Sequence, residues 1–154
     1  MDSATRGVTI RPALAEDVPA IVALLADDVL GATRETPDDL APYQNAFVAL
    51  DTDPHQLLVV AERDGEVVGT LQLSFLVGLA RRGATRAQVE GVRVRADQRG
   101  SGLGEELITW AVEEARAAGC QLVQLTSDRT RVDAHRFYER LGFEATHLGY
   151  KLSL

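Results

Sequence analysis

Arg99, Gly100, Ser101, Gly102, Leu103 and Gly104 place one guanidinium and three glycines between an apolar alternating stretch ending in Val94 and a long helical pattern. The chemistry open to such a junction is the binding of an anion. The first backbone N–H groups of a helix have no intrahelical partner and carry the positive end of its dipole. Phosphate oxygens fit there, and glycines let the phosphate approach the amides and accept positive φ without steric cost. Arg93, Arg95 and Arg99 against Asp97 alone make this stretch electropositive in a chain whose net charge is -7.

Residue type excludes two common phosphate loops. A dinucleotide fingerprint needs glycine at position 105 or 107, where Glu105 and Leu107 stand. A Walker loop needs Gly-Lys before Ser or Thr, and the only lysine is Lys151.

Glu90 stands on the stretch that feeds the loop. By period-two alternation it shares a face with Val92 and Val94, which would aim its carboxylate into the cleft. Burial there is how a glutamate becomes a general base near neutrality. It reads equally as a surface glutamate paired with Arg93 or Arg86. Gln88 has the same parity and suits the holding of a water.

The elements that must position these residues are a strand over Thr85 to Val94 and a helix carrying Leu103, Leu107, Trp110, Ala111, Ala115 and Ala118 at helical spacing. Gly119 follows where a left-handed cap would end that helix.

The run Arg-x-x-Gly-x-Gly resembles the acetyl-CoA loop of the GCN5-related N-acetyltransferase family. A second block, Ala134, Phe137, Tyr138, Leu141, Gly142 and Phe143, resembles the C-terminal signature of that family. From Glu90 to Tyr150 the chain is similar to bacterial aminoalkylphosphonate-type N-acetyltransferases. The resemblance implies an α/β fold with a central mixed, mostly antiparallel sheet flanked by about four helices. It also implies acetyl-CoA as cosubstrate and transfer of an acetyl group to a primary amine of a small molecule by direct attack in a ternary complex.

Roles follow from the resemblance in the same way. Tyr138 is the candidate acid for the leaving thiolate, although periodicity alone reads it as a core residue of a helix stripe. Glu90, or a water it holds, is the candidate base. Val92 and Val94 would pair through their backbone with the pantetheine arm, as an added strand does. Arg99, Gly100, Ser101, Gly102 and Gly104 would hold the pyrophosphate. Where many members have Asn, this chain has Arg131, which would reach a phosphate instead. Asp128 stands where the phosphonate-type block commonly has Asn, leaving the acceptor open. Two other readings remain: an acyl-CoA-binding regulatory module without turnover, and an acetyltransferase acting on a protein amine.

With 154 residues, 45% hydrophobic and 25% charged, the chain has the size and composition of one folded domain, residues 1–154. Its acidity disfavours nucleic acid. No apolar run approaches the ~20 residues of a membrane helix, and the lone Cys120, without a signal peptide, is read as a cytoplasmic buried strand-start residue. His55, His135 and His147 are scattered, so no metal site is expected, and His135 reads as a solvated helix histidine.

Along the chain, Met1 to Gly7 is polar. Val8 and Ile10 open a first strand, and a helix carries Val18, Ile21, Val22, Leu25 and Val29 through about Leu30 before a loop to Pro37. Asp38 to Leu50 is a second helix, with Pro42 in its first turn. Leu57 to Ala61 and Val67 to Val77 form a hairpin about Asp64-Gly65. Gly78 to Gly83 is an exposed loop, Gln121 to Thr126 a buried strand, and Arg131 to Gly142 a last helix. Phe143 to Leu154 gives one or two closing strands, of which the apolar Leu148 to Leu154 is suited to pairing in a homodimer.

Overall fold

The computed structural model describes residues 7–154, so the polar start up to residue 6 lies outside the described residues. The chain forms two compact units, one ending at Gln124 and the other running from Leu125 to Leu154.

The first unit is built on a sheet whose strands lie in chain order: β1 (Val8–Pro12), β2 (Gln56–Arg63), β3 (Glu66–Val77), β4 (Thr85–Val94) and β5 (Leu122–Leu125). The pairs β1–β2, β2–β3 and β3–β4 are antiparallel. The helices are α1 (Val18–Ala26), α2 (Gly31–Arg34), α3 (Ala41–Thr52), α4 (Ala80–Gly83) and α5 (Leu103–Ala117), with α6 (Val132–Arg140) in the second unit. Four of them have nine or more residues, and α2 and α4 are single turns. The mostly antiparallel α/β architecture is as the sequence implies.

Local chemistry sets the β2–β3 hairpin. Asp64 and Gly65 both have positive φ, 52° and 77°, as a two-residue turn matched to strand twist requires. The strands then sort their side chains by parity. One face carries Val59, Ala61, Leu71, Leu73, Ala87 and Val89, all buried. Helix α5 packs on this side through Leu107, close enough to Gly69 that a Cβ there would sit 3.2 Å from its methyl group. The buried helix residues are Leu103, Leu107, Ile108, Ala111 and Ala115. Trp110 is half-buried and Ala118 exposed, so Ile108 takes the place that the expected stripe gave them.

The other face carries Val60 in a cluster with Ala13, Val18, Ile21, Val22 and Phe47, supplied largely by α1 and α3. Arg11 on β1 clamps the start of this layer. Its guanidinium donates to Asp17 at 2.7 and 3.0 Å and to Glu62 at 2.8 Å, and Asp17 also accepts the Leu14 N–H. The Arg11 hydrogen bonds hold the buried Asp17 carboxyl below its usual range against the opposing pull of desolvation.

Helix α1 stops at Ala26 instead of reaching Leu30, and Val29 is exposed. The Asp28 carboxylate accepts the Gly31 N–H and starts α2, a side-chain bond that competes with helix continuation. Only glycine fits at position 31, where a Cβ would lie 1.9 Å from the Leu25 carbonyl oxygen.

In the second unit, Asp128 prepares the start of α6. Its carboxylate accepts the Thr130 N–H and hydroxyl, and its carbonyl accepts the Arg131 N–H. Helix α6 ends as expected on Gly142, at φ 94°, with Phe143 N–H bonded to the Tyr138 carbonyl and Gly142 N–H to that of Glu139. Gly119 ends α5 by the same paired bonds, from Cys120 to Ala115 and from Gly119 to Arg116.

Two further expectations are corrected toward the C-terminus. The closing strands over Phe143 to Leu154 do not form: among the described residues no strand follows α6. β5 is shorter than expected and only half-buried, as suits the last strand of the sheet.

Candidate active site

β4 changes its parity inside the candidate site. Gln72 faces Glu90 and Thr70 faces Arg93, so β4 has two residues, Gly91 and Val92, opposite Leu71 alone. This is a β-bulge, and Gly91 takes the positive φ of 62° that such a site favours. The bulge corrects the expected alternation: Glu90 shares its face with Arg93, while Val94, opposite Gly69, lies on the α5 side. Plain alternation across Val89 to Val94 hides the bulge, and Gly91 was its only signal.

Glu90 is exposed, not buried. Its partner is also not the expected arginine: Gln88 Nε2 donates to its carboxylate at 2.8 Å. Gln124 Nε2 on β5 donates to Gln88 Oε1 at 2.9 Å, and Arg86 donates to Gln124 Oε1 at 3.3 Å. On the same face of β3, Gln72 and Ser74 both donate to Gln56 Oε1 on β2, at 3.1 and 2.6 Å. The face that carries Glu90 is therefore floored by neutral amides and hydroxyls, and charge enters it chiefly through Glu90, Arg86 and Arg93. Gln124 was missed from sequence, although one polar residue inside Leu-Val-Gln-Leu was a usable signal.

β5 has only four residues and begins beside Thr85, where the Gln121 N–H bonds to the Thr85 carbonyl. It accompanies the first part of β4 and not its end. Val92 and Val94 are half-buried, and the Val92 carbonyl accepts an N–H from the Arg93 side chain at 2.9 Å.

The loop after β4 has the conformation its glycines foretold. Gly100 and Gly102 have φ of 80° and 88°, Gly102 is the N-cap of α5, and Leu103 and Gly104 are its first residues. A Cβ at Gly100 or Gly102 would meet nothing within 4 Å, so the constraint there is backbone conformation rather than space. Ser101 is exposed and bonds back along the loop, its hydroxyl donating to the Gln98 carbonyl at 2.5 Å.

The loop is less electropositive than its own residues imply, because distant carboxylates meet its arginines. Arg93 Nε lies 3.3 Å from Asp28, and Arg95 is bound by Asp97 and Glu66, which holds Asp97 below its usual range. Arg99 remains half-exposed. It donates weakly to the Val94 and Asp27 carbonyls at 3.3 Å and lies 3.6 Å from the Asp27 carboxylate. The Asp27-Asp28 pair was missed from sequence.

Glu90, Val92, Val94, Arg99, Gly100, Ser101, Gly102 and Gly104 are thus brought together on one strand, loop and helix. Tyr138 and Arg131 belong to the second unit. There Tyr138 is half-buried on α6, its ring edge-on to Phe137 at 5.1 Å and to Phe143 at 5.8 Å, and Arg131 is the N-cap of that helix. His135 is not a solvated histidine: it is half-buried and bonds through Nε2 to the Asp128 carbonyl at 2.9 Å. Cys120 is half-buried, and burial pushes its thiol pKa up, which suits an inert residue better than a nucleophile. Among the described residues no helix is long and apolar enough to cross a membrane.

A bulged strand that runs through a glycine loop into a helix N-terminus, on a mostly antiparallel sheet, presents unpaired backbone amides to an anion. The sequence pattern of the acetyltransferase (GNAT) family matches residues 19–143, and the chain belongs to that family. It is 32% identical to the aminoalkylphosphonate N-acetyltransferase of Salmonella typhimurium over 94% of this chain and 90% of that one. It is 34% identical to the L-methionine sulfoximine/L-methionine sulfone acetyltransferase of Pseudomonas paraeruginosa over 88% and 80%. A solved protein from Bacillus halodurans, described as a transcriptional regulator, is 45% identical and superposes with a TM-score of 0.92 over 96% of this chain and 99% of that one. The chain is an N-acetyltransferase whose cosubstrate is acetyl-CoA.

Proposed function

We propose that the chain is a single catalytic domain that acetylates the primary amine of a small molecule by direct attack in a ternary complex. The amine nitrogen attacks the thioester carbonyl carbon, and Glu90, or a water it holds, takes the proton the nitrogen sheds. The C–S bond then breaks, and Tyr138 gives a proton to the departing sulfur, so the products are an amide and free CoA thiol. The backbone of Val92 and Val94 pairs with the pantetheine arm. The amides of Arg99, Gly100, Ser101, Gly102 and Gly104 hold the pyrophosphate, and Arg131 adds charge to a phosphate.

The observation that carries this reading is the left-handed Gly102 at the N-cap of α5, directly downstream of a β4 bulged next to Glu90. The two enzymes to which the chain is similar act, by their names, on amines that also bear an oxygen-rich phosphorus or sulfur centre. The amide and hydroxyl floor beside Glu90 offers donors for such oxygens. We take the acceptor to be of that kind, and the protein to be a bacterial-type cytoplasmic homodimer.

The test is thiol release from acetyl-CoA over a panel of aminomethyl- and aminoethylphosphonate, methionine sulfone and sulfoximine, polyamines and a lysine peptide. Turnover confined to the phosphonates or sulfur compounds supports the reading, and turnover on the peptide alone moves it to a protein acetyltransferase. A second reading, a CoA-binding module without turnover, draws on the description of the Bacillus halodurans relative. Saturable acetyl-CoA binding with no thiol release on any amine would favour it.

A further inference from the structure

Arg86 is half-buried, and among the described residues its side chain bonds only to a neutral amide, Gln124 Oε1 at 3.3 Å, with no carboxylate beside it. The later arginines of β4 and its loop are all met by acids: Arg93 by Asp28, Arg95 by Glu66 and Asp97, Arg99 by Asp27. A guanidinium stays charged at every working pH, so partial burial cannot be relieved by losing a proton. One bond to an amide leaves most of its five N–H groups to water or to a ligand.

The strand relates this cation to Glu90. Arg86, Gln88 and Glu90 pair in regular register with Leu76, Ser74 and Gln72 before the bulge, so all three lie on one face of β4. Between the two charges stand Gln88 and Gln124, joined by a bond of 2.9 Å, and Gln72, Ser74 and Gln56 continue the neutral floor beside them. One end of the strip is a carboxylate and the other is a cation without a counter-ion. Such a strip is complementary to a molecule with an amine at one end and an oxyanion at the other.

The strip also sets a length. Four residues of strand separate positions 86 and 90 by about 13 Å. A hydrogen bond at each end takes about 3 Å, which leaves about 7 Å from the amine nitrogen to the far oxygen. An extended chain advances about 1.2 Å per bond, so five or six bonds bridge the gap. We infer that Arg86 is the subsite for an oxyanion of the acceptor, a primary amine with a phosphonate, sulfonate or carboxylate oxygen five or six bonds from its nitrogen. It rests on the acetyl-transfer reading and names the acceptor of that same site. Aminomethylphosphonate, with three such bonds, is too short for the strip, whereas 3-aminopropyl- and 4-aminobutylphosphonate match it.

The test is kcat/KM for ω-amino phosphonates, sulfonates and carboxylates with one to six carbons between the two groups, each against the alkylamine of the same carbon count. It is run on the wild type, Arg86→Gln and Arg86→Lys, with circular dichroism to check that each is folded. In the wild type the preference for the anionic acceptor over its alkylamine should peak at three or four carbons and reach at least about tenfold. Arg86→Gln should cut that ratio by about tenfold, chiefly through KM, and Arg86→Lys should retain part of it. The series with the highest ratio identifies the oxyanion. A flat length profile in the wild type, or a ratio that Arg86→Gln leaves unchanged, would overturn the subsite and leave acetyl transfer standing. Absence of turnover on every amine would overturn both.

Discussion

Gln88 donates a side-chain N–H to the Glu90 carboxylate at 2.8 Å, across the two-residue spacing that keeps both on one face of β4. The bond fixes the carboxylate at the edge of the bulge, where the proposed reaction would use it as a base. Glu90→Gln keeps the shape and removes the proton acceptor. We expect kcat to fall by about a hundredfold or more while acetyl-CoA affinity stays within about twofold. Gln88→Ala, which frees the carboxylate and also removes the acceptor of the Gln124 amide, should lower kcat several-fold. Steady-state kinetics with titration calorimetry checks both, and an unaffected kcat in Glu90→Gln removes Glu90 as the base.

Tyr138→Phe keeps the edge-on contacts with Phe137 and Phe143 and deletes only the hydroxyl. If the phenol meets the leaving sulfur, kcat falls by about a hundredfold, and an acyl donor with a more acidic leaving thiol recovers part of the loss. Loss of stability with unchanged turnover would make Tyr138 a core residue.

The Asp27 carboxylate stands 3.6 Å from the Arg99 guanidinium, where it would compete with a phosphate bound at the loop. Asp27→Asn should tighten acetyl-CoA binding by about two- to fivefold at low salt, the range of an exposed ion pair, and the gain should fade as salt rises. Arg99→Ala should weaken binding in the same assay. Equal affinities in the wild type and in Asp27→Asn would show that the pair has no hold on the loop.

The hairpin and both helix ends were legible because each is decided by a few neighbouring residues: Asp64-Gly65 accepts positive φ, and Gly119 and Gly142 cap α5 and α6. What was not legible depends on partners far along the chain. Asp28 reaches Arg93 on β4 and Asp27 reaches Arg99 in the loop after it, each across more than sixty residues, and Gln124 reaches Gln88 across thirty-six. The tail from Leu148 has the alternation of a strand but no edge supplied for it within its own segment. The bulge at Gly91 escaped because Val92 and Val94 about Arg93 read as regular alternation, which draws Glu90 onto their face once the extra residue is overlooked.

Asp17 supplies a pH dependence of stability. Its folded pKa lies below the ordinary aspartate value, chiefly because Arg11 bonds to the charged form. The stabilisation is therefore fully present above the unfolded value and is lost as pH falls through the folded one. Asp17→Asn should cost about 3 kcal/mol near neutrality, since it leaves a half-buried guanidinium short of a partner, and should flatten the acid limb of the stability curve. Urea unfolding across an acidic pH series checks this. An unchanged acid limb would assign the proton uptake to other carboxylates.

Calorimetric titration of acetyl-CoA into the wild type and into Gly102→Ala tests the central claim most directly. Position 102 has open space around it but a φ of 88°, so the substitution acts through the backbone that presents the α5 amides. The account predicts saturable binding of acetyl-CoA to the wild type, with ATP and NAD silent, and binding at least about tenfold weaker in the folded variant. Absence of binding to folded wild type, or equal binding by both proteins, would contradict the assignment of the Arg99 to Gly104 loop as the pyrophosphate cradle.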